Sequence, residues 1–249
     1  APFIRLYFED GDDYSEQYVK MKRAVYDWAD SDEAVDFQES DHDDSEWKDV
    51  WKQYFKPFTA GEHIVICPRW ETYSPKADDI VVTIDPGAAF GSGLHETTRM
   101  CIAALEKHVK ADDSVIDVGC GSGILGIAAA KLGAGGVWAL DYDPASVSAA
   151  SENARLNGVD IHVAQSDLMA GAPKIKAQVI VANIVADIII RLNDTIKDYL
   201  TDSGIYIMSG IIAERLDDVL ASLKHHDFEV LSIDKMGEWR AVTASPKRT

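Results

Sequence analysis

From residue 115 onward, apolar runs of strand length alternate with segments of helix length, and the first junction is a dense glycine turn, Gly119-Cys120-Gly121-Ser122-Gly123. Strand-like stretches at 115–118, 137–140, 161–164, 179–182 and 205–208 are separated by helix-like stretches at 124–132, 144–157, 186–200 and 213–225. Repeated strand–helix–strand units build a parallel sheet with helices on both faces. Two final strands, near 228–233 and 239–243, flank Met236-Gly237 and predict a hairpin. The expected fold class is α/β, with a Rossmann-like seven-stranded sheet.

The chain upstream has a different texture. Residues 1–44 read as a small, partial α+β domain, with a strand over 3–8, helical spacing of Tyr18, Met21, Val25 and Trp28, and a second strand over 34–37. Between Glu9 and Asp49 acids outnumber bases by about four to one, a charge asymmetry that marks a separate module. Trp47, Trp51, Tyr54 and Phe55 then recur on one helical face until Pro57 ends the helix. Residues 45–75 are therefore assigned to a linker helix and connecting segment, and 76–249 to the main domain. Two further strands are expected at 63–67 and 80–84.

A chain of 249 residues with 47% apolar and 27% charged content can bury one substantial core. Its net charge of −18 opposes general nucleic-acid binding and suits a basic partner. There is no apolar run of membrane-spanning length and no basic start followed by an apolar stretch, so no membrane association is expected and a cytoplasmic location is. Cys67, Cys101 and Cys120 lack metal-ligand spacing, and no metal is expected.

The glycine turn permits two overlapping readings. Gly121-Ser122-Gly123-Ile124-Leu125-Gly126 fits the dinucleotide pattern, whereas Gly119 through Gly123, preceded by Asp117, fits G-x-G-x-G. Strand phase favours the second, because residues 114–118 deliver the chain to Gly119. A carboxylate at Asp117 would also oppose a pyrophosphate, while it would tolerate the ammonium group of S-adenosylmethionine. Asp141 follows the next strand about 20 residues beyond the turn, where a carboxylate binds ribose hydroxyls.

Three segments resemble the bacterial methyltransferases that modify ribosomal protein L11, the PrmA type. They are 85–99 (DPGAAFGSGLHETTR), 115–126 with Asp141-Tyr142-Asp143-Pro144, and 181–186 (VANIVA) supported by Ser209-Gly210-Ile211. The resemblance implies a class I methyltransferase domain using S-adenosylmethionine, with a small N-terminal domain for the protein substrate. It places Thr98, Gly119, Gly121, Asp141 and Asn183 at the cofactor, and Asn183 where the methyl group meets its acceptor. This sequence carries Leu94 and Glu96 where the family usually has Thr and Pro. The implied acceptors are lysine ε-amines and the N-terminal α-amine of the ribosomal protein.

Asn183-Ile184-Val185 differs from the Asn/Asp-Pro-Pro-Tyr segment of enzymes that methylate nucleobase amines or glutamine amides, which favours a basic protein acceptor. No dedicated general base is evident; His95 is a candidate for that role or for a structural one. The residues leave open a methyltransferase for another protein or small-molecule amine, and a non-catalytic ribosome-associated module that retains the cofactor fold.

Overall fold

In the computed structural model, residues 55–85 and 93–247 are described. The compact unit containing them runs from Lys52 to Thr249. The expected strands at 3–8 and 34–37, and the aromatic helix apart from Phe55, lie outside the described residues.

A small sheet comes first, from β1 (Phe58–Thr59), β2 (Ile64–Pro68) and β3 (Ile80–Ile84). Strand β2 pairs antiparallel with β1 and parallel with β3. The main sheet contains β4 (Ser114–Val118), β5 (Gly136–Asp141), β6 (His162–Gln165), β7 (Ala177–Asn183), β8 (Leu200–Ile212), β9 (Phe228–Met236) and β10 (Trp239–Pro246). Its order is β6-β5-β4-β7-β8-β10-β9. Strands β4 to β8 run parallel, and β10 is antiparallel to both β8 and β9. This is the expected α/β fold with its terminal hairpin, although both hairpin strands are longer than their apolar runs.

Two apolar cores sandwich the sheet because its side chains alternate with a period of two. Val115, Val137, Val179, Val181 and Ile207 face one core, shared with α1 (Glu96–His108), α2 (Ile124–Lys131) and α3 (Pro144–Asn157). Ile116, Leu140, Ile180, Tyr206 and Met208 face the other, shared with α4 (Ala186–Ile196) and α5 (Leu216–His225). The central strands are apolar on both faces, as buried parallel strands are. The small sheet adds Ile64, Ile66, Val82 and Ile84 to the first core, and Phe55 packs there at 6.0 Å from Trp70. The segment assigned to a connection thus contributes β1 and β2 to the main domain's packing.

Helix α1 has no counterpart in the sequence reading. Its first turn, Glu96-Thr97-Thr98, is poor in helix formers, and its start is fixed instead by His95, whose side chain accepts from the Thr97 N–H. Its far end is fastened to the small sheet. The Glu106 carboxylate accepts from the backbone N–H groups of Glu62, His63 and Ile64 at 2.6, 2.8 and 2.7 Å. Such charge-assisted bonds to backbone amides are the stronger kind. Replacing Glu106 by Ala is expected to cost ~2 kcal/mol of stability, read as a lower denaturation midpoint with an unchanged denaturant slope. An unaltered midpoint would show that the carboxylate clamp is not stabilising.

Candidate active site

The sheet order reverses between β4 and β7, since β4 leads on one side to β5 and on the other to β7. In open parallel sheets the crevice beyond the strand ends at such a reversal is where ligands bind. The residues singled out in the sequence converge there.

Strand β4 ends at Val118 and the chain enters the turn at Gly119, as strand phase required. The Gly119 and Cys120 N–H groups donate to the Leu140 carbonyl at 2.8 and 3.0 Å, joining the turn to β5. Gly119 has φ +73, and a Cβ there would collide with the Ile184 side chain. Only glycine satisfies both the backbone conformation and this approach. Ile184 directly follows Asn183 at the tip of β7, so the glycine turn and that tip lie against each other.

Asp141 ends β5, and its carboxylate is fixed at both oxygens. Oδ2 accepts from the Gly121 N–H at 2.8 Å and Oδ1 from the Asp143 N–H at 2.9 Å. A carboxylate has about four acceptor sites, so each oxygen retains capacity for a sugar hydroxyl. The Asn183 Nδ2 donates to Thr98 Oγ1 at 3.1 Å, which ties the β7 tip to the first turn of α1. Thr98, Asn183, Gly119, Gly121 and Asp141 thus form one continuous string through these contacts. His95 lies beside it with its ring 4.9 Å from that of Trp239 and its Nδ1 2.8 Å from Thr97 Oγ1. Its geometry is that of a helix cap.

Asp117 differs from its sequence reading. It does not open onto the crevice: its side chain is fully buried in the first core, and Oδ2 accepts from the Gly126 N–H at 2.9 Å. It therefore partners one first-turn amide of α2 from inside the core. The expected meeting of this carboxylate with a pyrophosphate or an ammonium group in the crevice is therefore not made. Burial pushes the Asp117 carboxyl up to about 7, opposed by the Gly126 hydrogen bond and assisted by the Asp141 charge.

The sequence reading overlooked Asn153 and Asn157. These lie four residues apart on α3 and bond with β3, and Asn153 also reaches the glycine turn. Two asparagines at helical spacing beside Ala150 and Ala154 were the available signal. Leu94 is exposed, and Glu96 opens α1 in the first-turn position that suits an acid. Residues 86–92 of the first resembling segment lie outside the described residues. Among the described residues, no group of His, Cys, Asp and Glu is placed to hold a metal ion, and no helix is long and apolar enough to cross a membrane.

A seven-stranded sheet with an antiparallel terminal hairpin, a glycine turn after its first central strand and a carboxylate ending the next define the class I S-adenosylmethionine-dependent methyltransferase fold. Its residues fit that cofactor: the Asp141 carboxylate keeps acceptor capacity at the end of β5, where a ribose would be held, and needs no metal or phosphate partner. The family model described as "Ribosomal protein L11 methyltransferase (PrmA)" matches residues 3–247, and the chain belongs to that family. A ribosomal protein L11 methyltransferase of Clostridium botulinum (strain Eklund 17B / Type B) is 48% identical over 205 residues, covering 82% of this chain and 65% of that relative. The match thus spans just under two thirds of that relative's length. One from Clostridium perfringens (strain 13 / Type A) is 43% identical, covering 98% of this chain and 79% of the relative. The crystal structure of ribosomal protein L11 methylase from Lactobacillus delbrueckii subsp. bulgaricus superposes with a TM-score of 0.74 at 37% identity, covering 78% of this chain and all of that one. Precorrin-6y C5,15-methyltransferase from Geobacter metallireducens GS-15, at 15% identity and TM-score 0.51, shares the fold.

Two outcomes follow from this geometry. Asp141→Ala is expected to weaken S-adenosylmethionine binding at least ~10-fold in calorimetry, since it removes the partner of the Gly121 N–H and the acceptor expected for the ribose; unchanged affinity would refute the pocket. Asp117 has a folded pKa above its unfolded value, so its contribution is full below about pH 4 and is lost as pH rises through about 7. Relative to Asp117→Asn, the native chain should lose on the order of 4 kcal/mol across that window. A stability difference independent of pH would contradict the buried carboxyl.

Proposed function

We propose that this chain transfers methyl groups from S-adenosylmethionine to lysine ε-amines and the N-terminal α-amine of ribosomal protein L11. The observation that carries the proposal is the Asn183–Thr98 junction beside Gly119, in a chain of this family. When bound, the cofactor supplies a methyl group made electrophilic by its sulfonium. The protein's contribution is placement, because such a displacement gains most from aligning the reacting atoms.

Asn183 donates through Nδ2 to Thr98, and that bond sets the orientation of its amide. Its Oδ1 is left as an acceptor that can hold an amine N–H and aim the nitrogen lone pair. An amide is too weak a base to take a proton from an ammonium ion, so the acceptor must arrive neutral. A free lysine has a pKa near 10.4, and removing it from water lowers that value. Val185, 63% exposed, follows Asn183, and the exposed Ile212 ends β8 opposite Trp239. These apolar groups at the C-terminal ends of β7 and β8 favour the uncharged amine over the ion. His95 serves as the cap of α1 in this scheme, holding Thr98 in place.

The net charge of −18 supports a basic protein partner and disfavours direct nucleic-acid contact. A ribosomal protein substrate places the reaction in the cytoplasm. The test is transfer of labelled methyl groups from the cofactor to a mixture of ribosomal proteins. Label should enter L11, and Asn183→Ala should lower turnover ~100-fold with a smaller change in the cofactor's KM. Label entering a different protein or a small amine, but not L11, would overturn the substrate assignment. Cofactor binding without turnover would favour a non-catalytic module.

A further inference from the structure

Among the described residues, β3 is an edge strand of the small sheet, and helix α3 meets that edge with side-chain amides. Asn157 mimics a neighbouring strand: Oδ1 accepts from the Thr83 N–H at 2.8 Å and Nδ2 donates to the Thr83 carbonyl at 2.6 Å. One helical turn earlier, Asn153 repeats the pattern two residues on, just past the end of β3. Its Oδ1 accepts from the Asp85 N–H at 2.9 Å and its Nδ2 donates to the Asp85 carbonyl at 3.1 Å. The match is geometric, since residues four apart on a helix advance about 6 Å and residues two apart on a strand about 6.6 Å.

The two asparagines differ in where their remaining donation goes: Asn157 Nδ2 donates back to the Asn153 carbonyl within α3, at 2.8 Å. Asn153 Nδ2 also donates to the Ser122 carbonyl, at 2.9 Å, inside the glycine turn. Asn153 is 1% exposed and Ser122 is fully buried. Ala150, on the same face of α3, presses on Gly123: a Cβ at Gly123, which has φ +80, would lie 2.9 Å from the Ala150 Cβ. Helix α3 therefore grips the turn at two adjacent points, by packing at Gly123 and by hydrogen bonding at Ser122. The same helix starts just after Asp141, with Asp143 as its N-cap.

We propose that Asn153 is a positioning residue for the cofactor, locking the glycine turn to α3 and to the end of β3 so that the Gly119–Gly121 backbone is held in its binding geometry. The inference rests on the cofactor reading above. Removing the amide leaves the buried Ser122 carbonyl without this donor, and the turn relaxes toward conformations that meet water. Affinity then falls by the fraction of molecules still holding the competent turn.

The contrast between Asn153 and Asn157 supplies the test. Both variants Asn153→Ala and Asn157→Ala lose a clamp on β3 and should melt at lower temperature. In calorimetry with S-adenosylhomocysteine, Asn153→Ala should bind about 10-fold or more weakly, while Asn157→Ala should stay within about 2-fold of the native chain. Amide hydrogen exchange in the ligand-free protein should speed up at residues 119–123 in the first variant and not in the second. Asn153→Asp, which keeps the volume and the acceptor but loses both donations when ionised, should also bind weakly at neutral pH. Native affinity in either folded Asn153 variant, or equal losses at Asn153 and Asn157, would overturn the proposal. Failure of the native chain to bind the ligand would instead overturn the cofactor reading on which it rests.

Discussion

The hydrogen bond from the Gly121 N–H to the Asp141 carboxylate holds the candidate site together. It spans two neighbouring parallel strands at their C-terminal ends, where the turn after β4 meets the end of β5. The turn's amides cannot be paired within a helix or a sheet ladder, so they need partners from elsewhere. Leu140 and Asp141 supply them from one strand, Asn153 satisfies a turn carbonyl from α3, and Asp117 partners the Gly126 amide in the first turn of α2 from within the core. The turn is thereby preset by the protein, and a ligand need not organise it.

The three carboxylates around this turn do different work because their environments differ. Asp117 is fully buried and its carboxyl is raised by burial, so it serves as an internal cap for α2. Asp141 is partly exposed at the strand end, where both oxygens are held by backbone amides and still reach the crevice. Asp143 caps α3 by accepting from the Ala145 N–H. Asp141, held beside the turn through the Gly121 N–H, meets an approaching phosphate with like charge. A cofactor that carries a sulfonium and an ammonium group is better matched to such a surround.

Most of the central domain was legible because its signals are local. Apolar runs of strand length between segments of helix length point to the parallel sheet, and the phase of residues 114–118 selects Gly119 over Gly121 as the start of the turn. Asp141 was recognisable from spacing alone. What escaped notice depends on long-range partners. Helix α1 begins with Glu96-Thr97-Thr98, whose weak propensity is offset by the His95 cap and the Glu106 clamp. The role of Asp117 required knowing that its side chain faces α2. Asn153 meets Asp85 across 68 positions of sequence, and a helix pattern alone does not say that its polar residue completes a strand edge. Thr98 and Asn183 came from family resemblance, and the 3.1 Å contact between them is the geometric finding.

The central claim is that this crevice is built for a methionine-linked nucleoside and not for a dinucleotide. Equilibrium dialysis of the native chain against S-adenosylhomocysteine and, separately, against NAD tests it directly. One S-adenosylhomocysteine bound per chain, with no saturable NAD binding, is the predicted result. Saturable NAD binding without S-adenosylhomocysteine binding would contradict the account.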